Sequence, residues 1–123
     1  MLRSVLAAVA GVVVWGVLAI ALNYVIVWTI PGYAAAMPSM NFDMTMMLAR
    51  LADSTVALLV AAYVTMRIAR GAALASWILA ALLLVLFVPE HIHIWAKFPI
   101  WYHAYFLASL VVIPVAMGRA VRS

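Results

Sequence analysis

From Ser4 to Ile30 no charged residue interrupts the chain. A helix needs roughly 20 apolar residues to cross a bilayer core, so this run is long enough to span with tilt. It is also too long for the apolar core of a cleaved signal peptide, usually about 7–15 residues, and reads as a retained anchor. Pro31 and Gly32 end it. Residues 31–43 then read as a loop, because Pro31, Gly32, Pro38, Ser39, Asn41 and Asp43 are turn and cap residues. Asn41 or Asp43 is placed to cap the next helix. That helix is expected over 44–66, followed by a tight turn at Arg67, Arg70 and Gly71. A third helix is expected over 72–88, stopped by Pro89. A loop over 89–100 leads to a fourth helix over 100–117, with Pro114 bending its last turns. The pattern predicts one all-α transmembrane domain over residues 1–123, an integral membrane four-helix bundle running antiparallel, up-down-up-down.

Composition agrees. The chain is 72% hydrophobic and 8% charged, against about a quarter charged in soluble domains. The bilayer is therefore its expected solvent and first partner. Arg3, Arg67, Arg70, Arg119 and Arg122 all fall at the termini or in the middle turn, whereas the other two loops carry only Lys97. The positive-inside rule then places both termini in the cytoplasm (N-in/C-in) and loops 31–43 and 89–100 outside. In a bacterium this means the inner membrane with loops in the periplasm. The dispersed basic residues form no patch for nucleic acid. Trp28, Tyr33, Trp95, Phe98, Trp101, Tyr102 and Tyr105 are expected to form an aromatic belt at the outer interface. With no cysteine, thiolate chemistry is excluded.

Lipid gives helices no hydrophobic reason to associate, so small residues at close contacts matter. Ala7 and Gly11 on helix one, Ala72, Ser76 and Ala80 on helix three, and Ala104 and Ala108 on helix four repeat at four-residue spacing. Helix two carries Asp53, Ala57, Ala61 and Thr65 in one ladder, with Arg50 and Ser54 beside it. Arg50 and Asp53 are three residues apart, on one face, and are expected to pair. At 1.5 Å per residue they lie roughly 9 and 13 Å below the helix's outer end. A charge near the bilayer centre costs on the order of 3 kcal/mol or more, so neither is expected to face lipid. Asn23 on helix one lies at similar depth, and Glu90 would meet Arg50 if the arginine reached upward.

The outward face adds a second cluster. His91, His93 and His103 lie at the ends of helices three and four, beside Glu90. In an extended segment His91 and His93 share one side, and three imidazoles, or two and a carboxylate, suit zinc with an open position. Of eight methionines, five fall between residues 37 and 47: Met37, Met40, Met44, Met46 and Met47. Thioether sulfur with imidazole suits copper(I), so His91, His93, His103, Glu90, Met37, Met40 and Met44 form the candidate metal set. Histidine at an interface and methionine in a core also have ordinary structural explanations, and no cofactor is required by the pattern.

The Arg67–Arg70 turn, the Pro89–His91 break and Trp101 opening helix four with Gly118-Arg119 closing it resemble a loose group of small four-helix bacterial inner-membrane proteins. The resemblance covers most of the chain and implies the fold but no activity. The small multidrug exporters are similar in helix number and length, but they carry a glutamate in the middle of helix one, where this chain has Asn23.

Three functions compete. An accessory protein acting by contact with another membrane protein, or with a second copy of itself, fits the short loops and small-residue faces. Metal binding or handling fits the outer cluster. A small dimeric transporter would use Asp53 as its coupling carboxylate. No catalytic constellation supports an enzyme: no serine sits beside a histidine and no carboxylates pair.

Overall fold

A computed structural model describes residues 1–121, so the expectation for Arg122 lies outside the described residues. The described chain is all-helical: α1 (Leu2–Thr29), α2 (Tyr33–Ala36), α3 (Met44–Ile68), α4 (Ala73–His93), a 3-10 turn (Trp95–Lys97) and α5 (Ile100–Val121). Four of these, α1, α3, α4 and α5, are long and apolar enough to cross a membrane.

The caps follow from local chemistry. Asp43 precedes α3 with extended backbone, and its Oδ1 accepts from the Met46 amide at 2.9 Å, satisfying one of the amides that a helix start leaves free. At the other end of α3, Arg70 takes the left-handed conformation (φ 56°) and is followed by Gly71 (φ 78°). The Gly71 amide reaches the Met66 carbonyl at 2.9 Å and the Arg70 amide reaches Arg67 at 3.3 Å. This is the Schellman arrangement that consumes the last carbonyls of a helix, and it fits the reversal into a few residues. The loop over 31–43 is not wholly irregular, because α2 forms within it after Gly32 turns the chain at φ 82°.

Pro89 does not stop α4, which continues to His93 with the proline inside it. A proline forfeits only one amide and crowds one carbonyl, and membrane helices tolerate it where neighbours re-satisfy the backbone. The last turn is closed by the Ile94 amide on the Glu90 carbonyl at 3.0 Å. His91 and His93 are therefore helical rather than extended. His91 is buried and His93 exposed.

At one end of the bundle, the turn end, the helices meet through small residues. Ala7 and Gly11 of α1 lie buried against Ala61 and Thr65 of α3, and the Thr65 hydroxyl donates to the Ala7 carbonyl at 3.0 Å. Gly118 of α5 sits against Ser76 of α4: a Cβ built on it would fall 2.9 Å from the Ser76 Oγ. Ala7, Met66, Ala69 and Ala75 form one cluster there, with Met117 and Val121 packed on it. Ala104 and Ala108, by contrast, are exposed on α5. That helix packs instead through Tyr102, Phe106, Ser109, Leu110, Pro114 and Gly118. Leu58, Leu79, Leu83 and Leu110 fill the middle.

At the other end, the loop end, Phe42 stacks on Phe98 at 5.9 Å, and Lys97 donates to the Ser39 carbonyl at 3.3 Å. Trp28, Trp95, Trp101 and Tyr105 are exposed there. Tyr33, Phe98 and Tyr102 are buried inside the bundle rather than placed in the belt.

Candidate functional site

Arg50 organises the loop end. Its Nη1 donates to the Tyr33 hydroxyl at 2.9 Å and its Nε to the Tyr102 hydroxyl at 3.1 Å. The Tyr33 hydroxyl in turn donates to the Asn23 Oδ1 at 2.9 Å. The guanidinium lies 4.7 Å from the centroid of Phe42 and 5.8 Å from that of Phe98. A delocalised cation is well held by aromatic faces and by hydroxyl acceptors. One chain of contacts thus joins α1, α2, α3 and α5 through Asn23, Tyr33, Arg50 and Tyr102.

Arg50 and Asp53 share a helix face, but the arginine spends its bonds on tyrosines. The Asp53 Oδ1 is buried with no hydrogen-bond partner among the described residues. The expected pairing of these two residues is therefore not formed. The two hydroxyls reach the guanidinium from other elements, whereas the carboxylate one turn deeper would need the arginine to fold back along its own helix. Glu90 is exposed at the end of α4 and makes no side-chain bond with Arg50.

The histidines divide. His91 of α4 and His103 of α5 meet Nδ1 to Nδ1 at 2.6 Å, and the His103 Nε2 bonds the Trp95 carbonyl at 3.1 Å. The His91 ring lies against Phe106 at 4.5 Å, and Trp95 stacks on His103 at 4.4 Å and 12°. The 3-10 turn over Trp95–Lys97 folds the connection back and brings His103 to His91. His93 stays outside this pair. Of the methionines, Met37 and Met44 are exposed and Met40 packs beside the core. Among the described residues no group of three or more histidines and carboxylates is placed to hold a metal ion.

A cavity of about 870 Å³ lies against this network. Its wall takes Asn23, Arg50, Asp53, Ser54, Glu90, His91 and Tyr102 together with Trp15, Phe87, Phe106, Met37 and Met40. The metal candidates and the intramembrane polar candidates thus border one space, except for His93, His103 and Met44. Ile20 and Tyr24 of α1 and Leu86 of α4 also line it and are exposed, so the cavity opens sideways between α1 and α4, partway along two spanning helices. Gly16 lies in the same wall, and a Cβ built on it meets nothing within 4 Å. Three buried polar side-chain atoms among the described residues have no partner: Trp15 Nε1, Asp53 Oδ1 and Ser54 Oγ. All three belong to residues of this wall.

Tyr33 and Tyr102 are the site residues that sequence reasoning placed elsewhere, in the interfacial belt. The spacing of Tyr102, Phe106, Ser109 and Leu110 on one face of α5 marks Tyr102 as inward. No comparable signal marks Tyr33, which the Gly32 turn folds over Arg50. No protein-family model, no curated protein and no solved structure matches the chain.

Proposed function

We propose that this is a membrane-embedded binding protein for an amphipathic small molecule that enters the bundle from the bilayer. The observation that supports it is that the residues holding all three unpartnered buried polar atoms found among the described residues line one cavity. Buried polar groups are almost always satisfied, so a cluster of orphans asks for a ligand or water. Polar and ionisable residues within a membrane span are a functional site by default. The volume falls in the usual range for small-molecule pockets, about 300–1,000 Å³. The sideways opening suits a ligand with an apolar tail.

In this reading the bundle is antiparallel, up-down-up-down, in a bacterial inner membrane. Arg3, Arg67, Arg70 and Arg119 lie at the cytoplasmic side and Lys97 at the outer side, which puts the cavity in the outer half of the bilayer. The cysteine-free chain allows a direct check. A single cysteine at Ser39 should react in intact cells with a membrane-impermeant maleimide, and one at Arg70 should not.

The binding test is native mass spectrometry of protein released from mild detergent, with Gly16→Trp as the partner variant. Wild type should retain an amphiphile. Gly16→Trp should lose it while keeping its thermal stability, because the added ring meets open space. Absence of any bound species, or equal retention by both proteins, would refute the proposal.

One observation favours a second reading, in which the ligand is also moved. Asp53 holds a buried carboxylate oxygen without a partner among the described residues, as a coupling group would. Asp53→Asn should then abolish uptake into proteoliposomes while leaving binding in place. Contact with a partner membrane protein is compatible with either reading.

A further inference from the structure

The imidazole pair has only one arrangement of protons that satisfies it with neutral rings. A carbonyl oxygen can only accept, so the His103 Nε2 must carry the proton that meets Trp95. A neutral imidazole has one N–H, which leaves the His103 Nδ1 bare. The 2.6 Å contact then requires the His91 Nδ1 to be the donor. The remaining His91 nitrogen, Nε2, is left as a bare acceptor and makes no hydrogen bond among the described residues. Since His91 lines the cavity, this lone pair belongs to the ligand's surroundings. The device is the one that orients histidines in catalytic and metal sites, where the bond made by one ring nitrogen fixes the other.

Asp53 and Trp15, whose Oδ1 and Nε1 are buried without a partner among the described residues, belong to the same wall. Arg50 has N–H groups left beyond the two given to Tyr33 and Tyr102. The ligand must therefore both donate and accept. A simple fatty-acid carboxylate would satisfy Arg50 and leave the bare His91 Nε2 without a donor. The apolar part of the wall is aromatic: Trp15, Phe87 and Phe106 form a contiguous series with centroids 4.7 and 5.5 Å apart, a surface suited to a flat ring.

We propose that the cavity takes a hydroxylated aromatic ring bearing an apolar tail, a quinol-type lipid, whose O–H donates to the His91 Nε2, with His103 as the positioning residue that holds His91 in that tautomer. This rests on the cavity reading above and names its ligand class. No redox step is part of it.

The test has two arms. Long-range proton–nitrogen correlation of histidine-labelled wild-type protein in micelles should show His91 protonated at Nδ1 and bare at Nε2, and a proton at Nε2 overturns the assignment without any variant. In the second arm, quenching of tryptophan fluorescence compares a decyl-substituted hydroquinone with its oxidised quinone, which keeps the tail and the ring carbons but lacks both O–H donors. One lost hydrogen bond corresponds to roughly tenfold in affinity. The reduced form should bind wild type about tenfold more tightly, and the preference should vanish in His91→Phe and fall in His103→Phe, with quinone affinity unchanged within about twofold. Equal affinities, or a preference that survives in His91→Phe, refute the ligand class. Failure of both compounds while native mass spectrometry still finds another amphiphile sinks this inference and leaves the binding cavity standing. Failure of every amphiphile sinks both.

Discussion

Two glycines on α1 should respond in opposite directions to the same substitution. Alanine in place of glycine gains about 1 kcal/mol of helix propensity. At Gly16 nothing opposes that gain, since the added Cβ meets open space, so Gly16→Ala should be neutral or stabilising by up to about 1 kcal/mol. At Gly11 the added Cβ collides with the Thr65 Oγ1 and lies 3.2 Å from the Ala61 carbonyl and 3.1 Å from the Leu79 Cδ1. The carbonyl is backbone and cannot move aside, so α1 and α3 must separate. Overpacking of this kind costs about 1–3 kcal/mol. The Thr65–Ala7 bond, stretched or broken, adds roughly 0.6–1.7 kcal/mol. The propensity gain cancels between them, so the two variants should differ by about 2–5 kcal/mol. Reversible unfolding in mixed micelles of rising denaturing-detergent fraction, followed by circular dichroism, measures the difference. A double variant sharpens it: in a Thr65→Ala background the cost of Gly11→Ala should shrink, because the colliding oxygen is gone, and the coupling can be read as a double-mutant cycle. Indistinguishable unfolding of Gly11→Ala and Gly16→Ala would refute the close approach of α1 and α3.

Tyr33→Phe removes an acceptor for Arg50 and a donor to Asn23, whereas Tyr102→Phe removes only an acceptor. At about 1.5–3 kcal/mol for a hydrogen bond to a charged group, both should destabilise in the same unfolding assay, Tyr33→Phe more, and the reverse order would contradict the network. Asp43→Ala should cost about 1 kcal/mol through loss of the α3 cap, and Asp43→Asn should recover most of it. Elemental mass spectrometry after incubation with copper(I) or zinc should give the same metal content for wild type and His93→Ala, because His93 stands apart from the His91–His103 pair, and a loss specific to His93→Ala would restore the three-histidine arrangement.

Spans were legible because a bilayer reads one property, and a run without charge from Ser4 to Ile30 needs no tertiary context to be recognised. The inward face of α3 was legible for a related reason: Ala57, Ala61 and Thr65 repeat at helical spacing, and all three are buried. Pro89 misled because the helix continues through it to His93, where His91 packs against α5 and bonds His103, so tertiary packing decided the boundary. Arg50 misled in the same way. Spacing along one helix announces Asp53 as a partner, but the hydroxyls of Tyr33 and Tyr102 lie 17 and 52 residues from it in sequence and are brought in by a turn and a helix packing that no local pattern encodes. The His91–His103 contact depends likewise on the fold-back through Trp95–Lys97. The cavity itself has no sequence signature, since it is defined by where side chains fail to meet.

The uneven packing of the bundle has a consequence for how its sequence can drift. At the turn end, alanine, glycine, serine and threonine set the helix spacing, and almost any enlargement there forces the scaffold apart. Toward the loop end the cavity lies between the helices, and residues such as Gly16 and Ile20 can change size without disturbing their neighbours. Robustness is vested in one half of the molecule and selectivity in the other. A lineage, or a designer, can retune the mouth through many substitutions while the clasp at the opposite end keeps the architecture unchanged.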